Sequence, residues 1–405
     1  MTPDHPAELT VVGIGADGWP GLGDPGRNAL AAAQVVFGAP RQLALLSESI
    51  TAERVPWPTP LLPALPGLLA AHAGRTCCVL ASGDPMFHGI GATLVRLVGA
   101  GRVRVLPHPS SVSLAAARLG WALADVDVLS LVTAPVAELH PLVHPGRRVL
   151  VLSRDGSTPA QVAALLTARG YGDSPMTVLS SLGGPAEAIL AGTAATWREG
   201  TVDPLNVVAV SCAGAGPAVP LVAGLPDERY ESDGQLTKRE VRAVTLATLG
   251  PQPGELLWDV GAGAGSIAIE WMRSHRACRA IAVESSPQRA ARIAGNAEAL
   301  GVPALRVVEG RAPDALAELP TPAAIFIGGG LTRDGVVEAC LAALPRGGRL
   351  VANAVTLESE AVLAGLYAKL GGELTRIAVN RAAPVGGFTG WRAMLPVTIW
   401  ALVKP

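Results

Sequence analysis

Two glycine clusters in this chain have the spacing of ligand-cradling turns. Gly13, Gly15 and Gly18 spell G-x-G-x-x-G within LTVVGIGADG, and Gly261, Gly263 and Gly265 spell G-x-G-x-G within ELLWDVGAGAGSIAIEW. Glycines in such a turn let backbone N–H groups approach a bound group, and a carboxylate about 20 residues on can accept both hydroxyls of a ribose. The second cluster has that carboxylate, because RAIAVESS ends its strand on Glu284. Asp259 stands just before the turn, where it can hold the glycine loop or meet an amino group of the ligand. A third strand end, VVEGRAPDAL, offers Gly310, Arg311 and Ala312 as backbone against which an adenine can lie.

The two clusters part company over phosphate. After Gly18 the chain reads Trp19, Pro20, Gly21, Leu22, Gly23, Asp24, Pro25, Gly26, a poor first helical turn, so the next helix is expected to start near Arg27. No acid closes a second strand at the right distance from that cluster. In the second cluster Ser266 stands where the dinucleotide pattern wants a third glycine. An aminoacyl sulfonium nucleoside needs no pyrophosphate cradle. A glycine-rich turn with an acid on the second strand therefore fits S-adenosylmethionine better than a nicotinamide dinucleotide.

The elements that must position these residues are legible as alternating strands and helices. LTVVGIG, RTCCVLAS, RVRVLP, VDVLSLV, RRVLVLS and LNVVAVS alternate with Ala/Leu-rich stretches in the first half. ELLWDVGAG, RAIAVES, LRVVEG, AAIFIGGG, GRLVANAV, LTRIAVN and VTIWALV follow in the second. The pattern predicts α/β folds with parallel sheets flanked by helices. The last two strands, joined by a glycine-rich connection without a helix, are expected to form an antiparallel edge pair. GAGPAVPLVAGLPDERYESDG divides the chain, giving expected domains 1–222 and 223–405.

Composition sets the outer limits. A chain of 405 residues is long enough for two or three domains with full cores, and 49% hydrophobic with 16% charged residues suits an α/β protein. A net charge of −1 leaves no electrostatic footprint for nucleic acid or an anionic membrane. No apolar run reaches the roughly 18 residues of a spanning helix, and MTPDHPAEL lacks the regions of a secretory signal. Cys77, Cys78, Cys212, Cys278 and Cys340 show no C-x-x-C spacing. They read as buried, reduced thiols of a cytoplasmic protein, with no metal site.

With these residues in place, the second half resembles the corrin-biosynthesis methyltransferases that methylate C15 and decarboxylate the C12 acetate. QLTKREVRAVTLATLGPQPGELLWDVGAGAGSIAIEW, EGRAPDAL and IFIGGG carry the likeness over residues 230–405. It implies a class I, Rossmann-like methyltransferase fold, with cofactor contacts at Thr237, Gly261, Ala262, Gly263, Ala264, Gly265, Glu284 and Ala312. Residues 8–215 resemble the C5-methylating members of the tetrapyrrole methylase fold, through VVGIGADG, VVFGAPRQLALL, LASGDPMFHGIG, PHPSSVSLAAARLGW and TVLSSLGGPAEAI. That likeness implies two α/β subdomains around a cleft, with the cofactor at Ser82, Gly83, Asp84, Phe87, Ser110, Ser111 and Gly183. Together the halves resemble the bifunctional C5,C15-methylating, decarboxylating enzymes of vitamin B12 synthesis. The resemblance implies precorrin-6B as substrate, precorrin-8x as product, one S-adenosylmethionine per domain and a homo-oligomer.

Methyl transfer to an electron-rich macrocycle needs alignment and shielding from water rather than an enzymic nucleophile. Loss of the acetate carboxyl must be followed by protonation, for which a positioned acid would serve. Asn353 and Glu358 in VANAVTLESE, or Asp334 in GGGLTRDG, are the candidates. Arg381, and secondarily Arg392, are candidates for holding a carboxylate arm of the substrate, since a guanidinium binds carboxylate bidentately. The same reactions on a cobalt-bearing macrocycle, an NAD-dependent oxidoreductase and a non-catalytic tetrapyrrole carrier are the competing readings.

Overall fold

A computed structural model describes residues 9–198 and 202–405; residues 1–8, on which the reading of the N-terminus rests, lie outside it. The chain divides into two compact units, one built from residues up to 136 with 142–217, the other from 218–405 with 137–141.

The first unit contains two five-stranded sheets. One is wholly parallel: β1 (Leu9–Ile14), β2 (Val35–Gly38), β3 (Glu53–Pro56), β4 (Cys77–Ser82) and β5 (Val103–Leu106) lie in the order β3-β2-β4-β1-β5. The near-continuous apolar runs of β1 and β4 are buried, as a parallel strand covered on both faces requires. The other sheet corrects the expectation of parallel pairing throughout. It holds β6 (Val126–Ser130), β7 (Arg148–Leu152), β8 (Pro175–Ser180), β9 (Ala188–Thr193) and β10 (Asn206–Ser211) in the order β6-β7-β10-β8-β9, and only β6 and β7 run parallel. β8 and β9 are joined by a short connection rather than a helix, and such a link permits only antiparallel pairing.

The helix expected at Arg27 begins at Asp24 and runs to Ala32. Pro25 sits in its first turn, where a missing N–H costs nothing, and Asp24 adds a favourable charge there. Pro20 lies within a short helical turn, Gly18–Gly21. The prolines that argued against a helix are thus consistent with one.

In the second unit β11 (Leu256–Val260), β12 (Arg279–Glu284), β13 (Arg306–Glu309), β14 (Ala324–Ile327), β15 (Arg349–Ala354) and β16 (Glu373–Ile377) join the last strand of the chain, β19 (Val397–Val403). The order is β13-β12-β11-β14-β15-β19-β16, with the first five strands parallel and β19 antiparallel to both neighbours. The expected antiparallel edge pair is therefore β16 with β19. Their glycine-rich connection is no simple loop, for it forms the hairpin β17 (Asn380–Val385) and β18 (Phe388–Ala393). Strand order changes direction between β11 and β14, which puts a crevice beyond the C-terminal ends of those strands. The core beneath is built around Trp258, Trp271 and Trp400, all fully buried. The indole N–H groups of Trp258 and Trp400 reach the carbonyls of Pro320 and Gly371 at 3.0 and 2.9 Å.

Among the described residues no helix is long and apolar enough to cross a membrane. All five cysteines are free and buried.

Candidate functional site

The crevice of the second unit is shaped by glycines that nothing larger could replace. Gly261 has φ +72°, and a Cβ there would lie 2.6 Å from the Gly329 backbone, so the turn after β11 and the GGG run after β14 touch directly. Gly263 and Gly265 also have positive φ, and a Cβ on Gly265 would strike Ile293 of the helix Pro287–Ala299 at 2.7 Å. The loop is pinned from the neighbouring strand end. Gly261 N–H donates to the Val283 carbonyl at 2.9 Å, and Gly263 N–H donates to Glu284 Oε2 at 2.9 Å. Glu284 Oε1 accepts from Ser286 N–H at 3.0 Å. Oε2 keeps a second lone pair and Oε1 shares its own only with the Ser285 hydroxyl at 3.5 Å, so Glu284 can build the loop and still accept from a ribose.

Asp259, at the end of β11, is 1% exposed. Its Oδ2 accepts from Ala268 N–H at 3.0 Å, in the first turn of the helix Ser266–Ser274, while its Oδ1 is buried without a partner. Burial raises its pKa to about 7; the Ala268 N–H opposes that shift and the Glu284 charge adds to it. A buried carboxylate oxygen with an open lone pair has the chemistry to accept an ammonium. Glycines that admit backbone only, an acid for the hydroxyls and an acid for an ammonium fit an aminoacyl nucleoside.

Over the glycine loop runs the segment that carries Thr237. A Cβ on Gly263 would lie 3.3 Å from the Gln235 carbonyl. Asn296 ties the segment down, its Nδ2 donating to the carbonyls of Glu231 and Ala264 at 3.0 and 2.9 Å. Arg289 and Arg292 pair with Asp233 from the same helix. Beneath lies a buried charge network that sequence reasoning missed. Arg242 donates from Nε to Glu270 at 2.6 Å, from one terminal nitrogen to the Thr237 carbonyl at 2.6 Å, and from the other to the Leu225 carbonyl. Glu270 also accepts from Gly224 N–H at 2.5 Å, Leu225 N–H at 3.0 Å and the Tyr230 hydroxyl at 2.8 Å. Burial, then the Glu270 charge, raises the Tyr230 pKa well above its usual value, so the phenol keeps the proton it donates. A signal was available. Glu270 sits in SIAIEWM among apolar neighbours, and a charge on an apolar helix face demands a buried partner.

Ala262 to Gly265 and Glu284 come together in this loop, with Asp259 beneath it. Gly310 N–H donates to the Glu284 carbonyl at 2.9 Å, which brings the Arg311 and Ala312 turn to the same strand end; Arg311 is exposed and Ala312 half-buried. The candidates for chemistry are not joined by any hydrogen bond or ion pair among the described residues. Asn353 lies on β15 beside Ile399 of β19; its Nδ2 donates to Thr245 Oγ1 at 3.0 Å and its Oδ1 is buried without a partner. An amide held this way offers an acceptor, not a proton. Glu358 is an exposed residue in the first turn of the helix Leu357–Leu370, and its own N–H and the Thr356 hydroxyl hold its carboxyl below the ordinary range. It stays ionised at neutral pH, the wrong state for a proton donor. Asp334 is exposed. Arg381, on β17, pairs with Glu240 at 2.6 Å and Asp227 at 3.5 Å and lies opposite Arg392 on β18.

In the first unit, Gly13 and Gly15 serve close approach rather than phosphate. A Cβ on Gly13 would lie 2.2 Å from the Gly83 carbonyl, and one on Gly15 would lie 2.7 Å from the His108 ring. They let the turns after β1, β4 and β5 converge beside a cavity of about 90 Å3 lined by Ser82, Gly83 and Ser111 among the expected residues. Gly83 has φ +59°, and Asp84 Oδ1 accepts from Met86 N–H at 2.8 Å. Ser110 caps the helix Ser111–Leu119 by accepting from Ser113 N–H at 3.1 Å. Phe87 is exposed and stacks edge-on with His88, and Gly183 N–H donates to Glu187 at 2.7 Å. Asp84, Phe87, Ser110 and Gly183 do not line the cavity.

The family described as Tetrapyrrole (Corrin/Porphyrin) Methylases matches residues 8–197, and the Precorrin methyltransferase domain matches 228–404. A Sinorhizobium protein named precorrin-6Y C(5,15)-methyltransferase (decarboxylating) is 52% identical over 398 residues, covering 98% of this chain and 96% of its own length. A Mycobacterium tuberculosis protein of the same name is 51% identical, covering 98% of this chain and 100% of itself. The solved C-terminal domain of the Rhodobacter capsulatus precorrin-6Y C5,15-methyltransferase is 44% identical, covering 45% of this chain and 98% of that one, with a TM-score of 0.43. An identity above one half that runs through both domain matches, over glycine loops built as described, means that the chain belongs to the precorrin-6Y C(5,15)-methyltransferase (decarboxylating) family.

Proposed function

We propose that the chain methylates C5 and C15 of precorrin-6B and removes its C12 acetate carboxyl as CO2, giving precorrin-8x. Residues 1–222 carry the C5 methylation, and 223–405 carry the C15 methylation and the decarboxylation, each with its own S-adenosylmethionine. The observation that carries this reading is that each unit builds a glycine-lined cradle at the C-terminal ends of its parallel strands. When bound, the cofactor supplies an activated methyl group on a sulfonium sulfur. Thr237, Asp259, the loop Gly261 to Gly265, Glu284, Arg311 and Ala312 hold it in one unit. Ser82, Gly83 and Ser111, which line the cavity, hold it in the other, with Asp84, Phe87, Ser110 and Gly183, which lie outside that cavity, as further contacts of the bound cofactor.

The chain's own part is alignment and exclusion of water. Asn353 presents its open Oδ1 as a fixed acceptor at the end of β15. Arg381 takes a substrate carboxylate by exchanging Glu240 for it, which a pair this exposed allows at little cost.

The test is anaerobic incubation of the full chain with precorrin-6B and S-adenosylmethionine, read by mass spectrometry. Two methyl groups gained and one CO2 lost is the expected change. In Gly261→Ala, the left-handed backbone costs about 1–2 kcal/mol and the new Cβ meets Gly329. C15 methylation and CO2 loss should fall at least about tenfold while the C5 methyl is still added. A wild-type chain that leaves precorrin-6B unchanged but converts its cobalt complex would replace the metal-free substrate; one that converts neither would end the proposal.

We propose further that the chain is a homo-oligomer in a reducing, cytoplasmic setting. The β17–β18 hairpin supports the first point, since Phe388 and Trp391, 84% and 79% exposed, offer apolar surface that a second copy would cover. Five free cysteines support the second. Light scattering should give a multiple of 41.2 kDa, and a monomer mass at micromolar concentration would refute it.

A further inference from the structure

The cavity of the first unit contains donors that the function above does not account for. Arg41, in the helix Pro40–Ala44, donates to Ser82 Oγ at 3.0 Å and has no ion pair among the described residues. Gln42 donates to the same oxygen, also at 3.0 Å, from Nε2. The amide can face no other way, because its Oε1 accepts from Ala39 N–H at 2.8 Å. A hydroxyl has two acceptor lone pairs and one proton. With both lone pairs of Ser82 taken by donors, its proton must point away from them, and since Ser82 is exposed and no described residue accepts that proton, it is open to a ligand.

Arg41 and Ser82 both line the cavity, with Ser111 at the start of a nine-residue helix whose first N–H groups add positive character. No acidic side chain lines it, although the Asp203 charge is felt at Arg41, and much of the rest of the lining is apolar, with Leu114, Leu179 and Leu182. A hydroxyl and a guanidinium without an ion pair among the described residues, lining a cavity together with leucines, describe the receptor for a carboxylate on an apolar arm.

We infer that Arg41 and Ser82 form a carboxylate-binding site of the N-terminal unit. Gln42 is its positioning residue, turning the Ser82 proton outward. This rests on the function proposed above, which offers two sources of that carboxylate: the methionyl end of the cofactor and an acetate or propionate arm of the macrocycle.

Calorimetry on the full chain, titrated with S-adenosylmethionine and with its decarboxylated analogue, separates them, together with precorrin-6B affinity read from its visible absorption. If the cofactor supplies the carboxylate, Arg41→Met weakens one of two S-adenosylmethionine binding events about 10- to 100-fold, while the decarboxylated analogue binds both chains alike. If the macrocycle supplies it, the precorrin dissociation constant rises by a similar factor and both cofactor events are unchanged. Arg41→Lys should fall between wild type and Arg41→Met, and two binding events for the decarboxylated analogue in the variant report that the first unit, which holds Arg41, is still folded. Equal affinities for all ligands in wild type and Arg41→Met overturn the assignment. A wild-type chain that binds none of them overturns the proposed function instead, and this site with it.

Discussion

Arg242→Met is expected to cost the second unit about 3–5 kcal/mol of stability, the loss that follows when one partner of a buried ion pair is removed. Arg242 is 0% exposed and Glu270 is 3% exposed, so no water can replace the lost cation. The carboxylate would keep its N–H and phenol donors but face the interior uncompensated, and the carbonyls of Thr237 and Leu225 would lose theirs. Urea unfolding of the full chain, followed by tryptophan fluorescence, checks this, since Trp258, Trp271 and Trp400 report on the affected core. Adding Glu270→Gln should recover part of the loss, because the uncompensated charge goes with it. A single variant within about 1 kcal/mol of wild type would show that the network contributes little.

Asp259→Asn should flatten a pH dependence that wild type carries. The folded pKa of Asp259, about 7, lies above the unfolded value near 3.8, so the protonated carboxyl is the form that burial favours. Its stabilising contribution is complete below pH 4 and is lost as pH rises through 7. The asparagine does not titrate. Between pH 5 and pH 8 the variant should therefore gain on wild type by about 3 kcal/mol, at about 1.4 kcal/mol per pH unit over the titrating range. Unfolding free energies at those two pH values decide it, and parallel profiles would mean that Asp259 is already ionised when buried.

What could be read in advance was local. The glycine turn, Glu284 at the next strand end and the antiparallel closing strands each depend on residues within about 25 positions, and their spacing states them directly. Arg242 and Glu270 are separate in sequence and meet only when the helices Arg239–Leu249 and Ser266–Ser274 pack. Arg41 and Ser82 are farther apart still. The mixed sheet of the first unit escaped for a related reason: strand propensity says that β8 and β9 are extended, not which way they run. Glu358 misled because an acid at a helix start reads alike whether it caps the helix or serves chemistry, and only exposure tells them apart.

Glu284 has a thermodynamic consequence. Its carboxylate grips Gly263 N–H and Ser286 N–H with no ligand needed, so the glycine loop is set by folding and not by binding. Capture of a ligand there orders little backbone, and its heat-capacity change should reflect buried apolar surface alone, without the added signature of coupled folding. A mould of that kind selects by fit, and analogues that need the loop to flex will be refused however well their charges match.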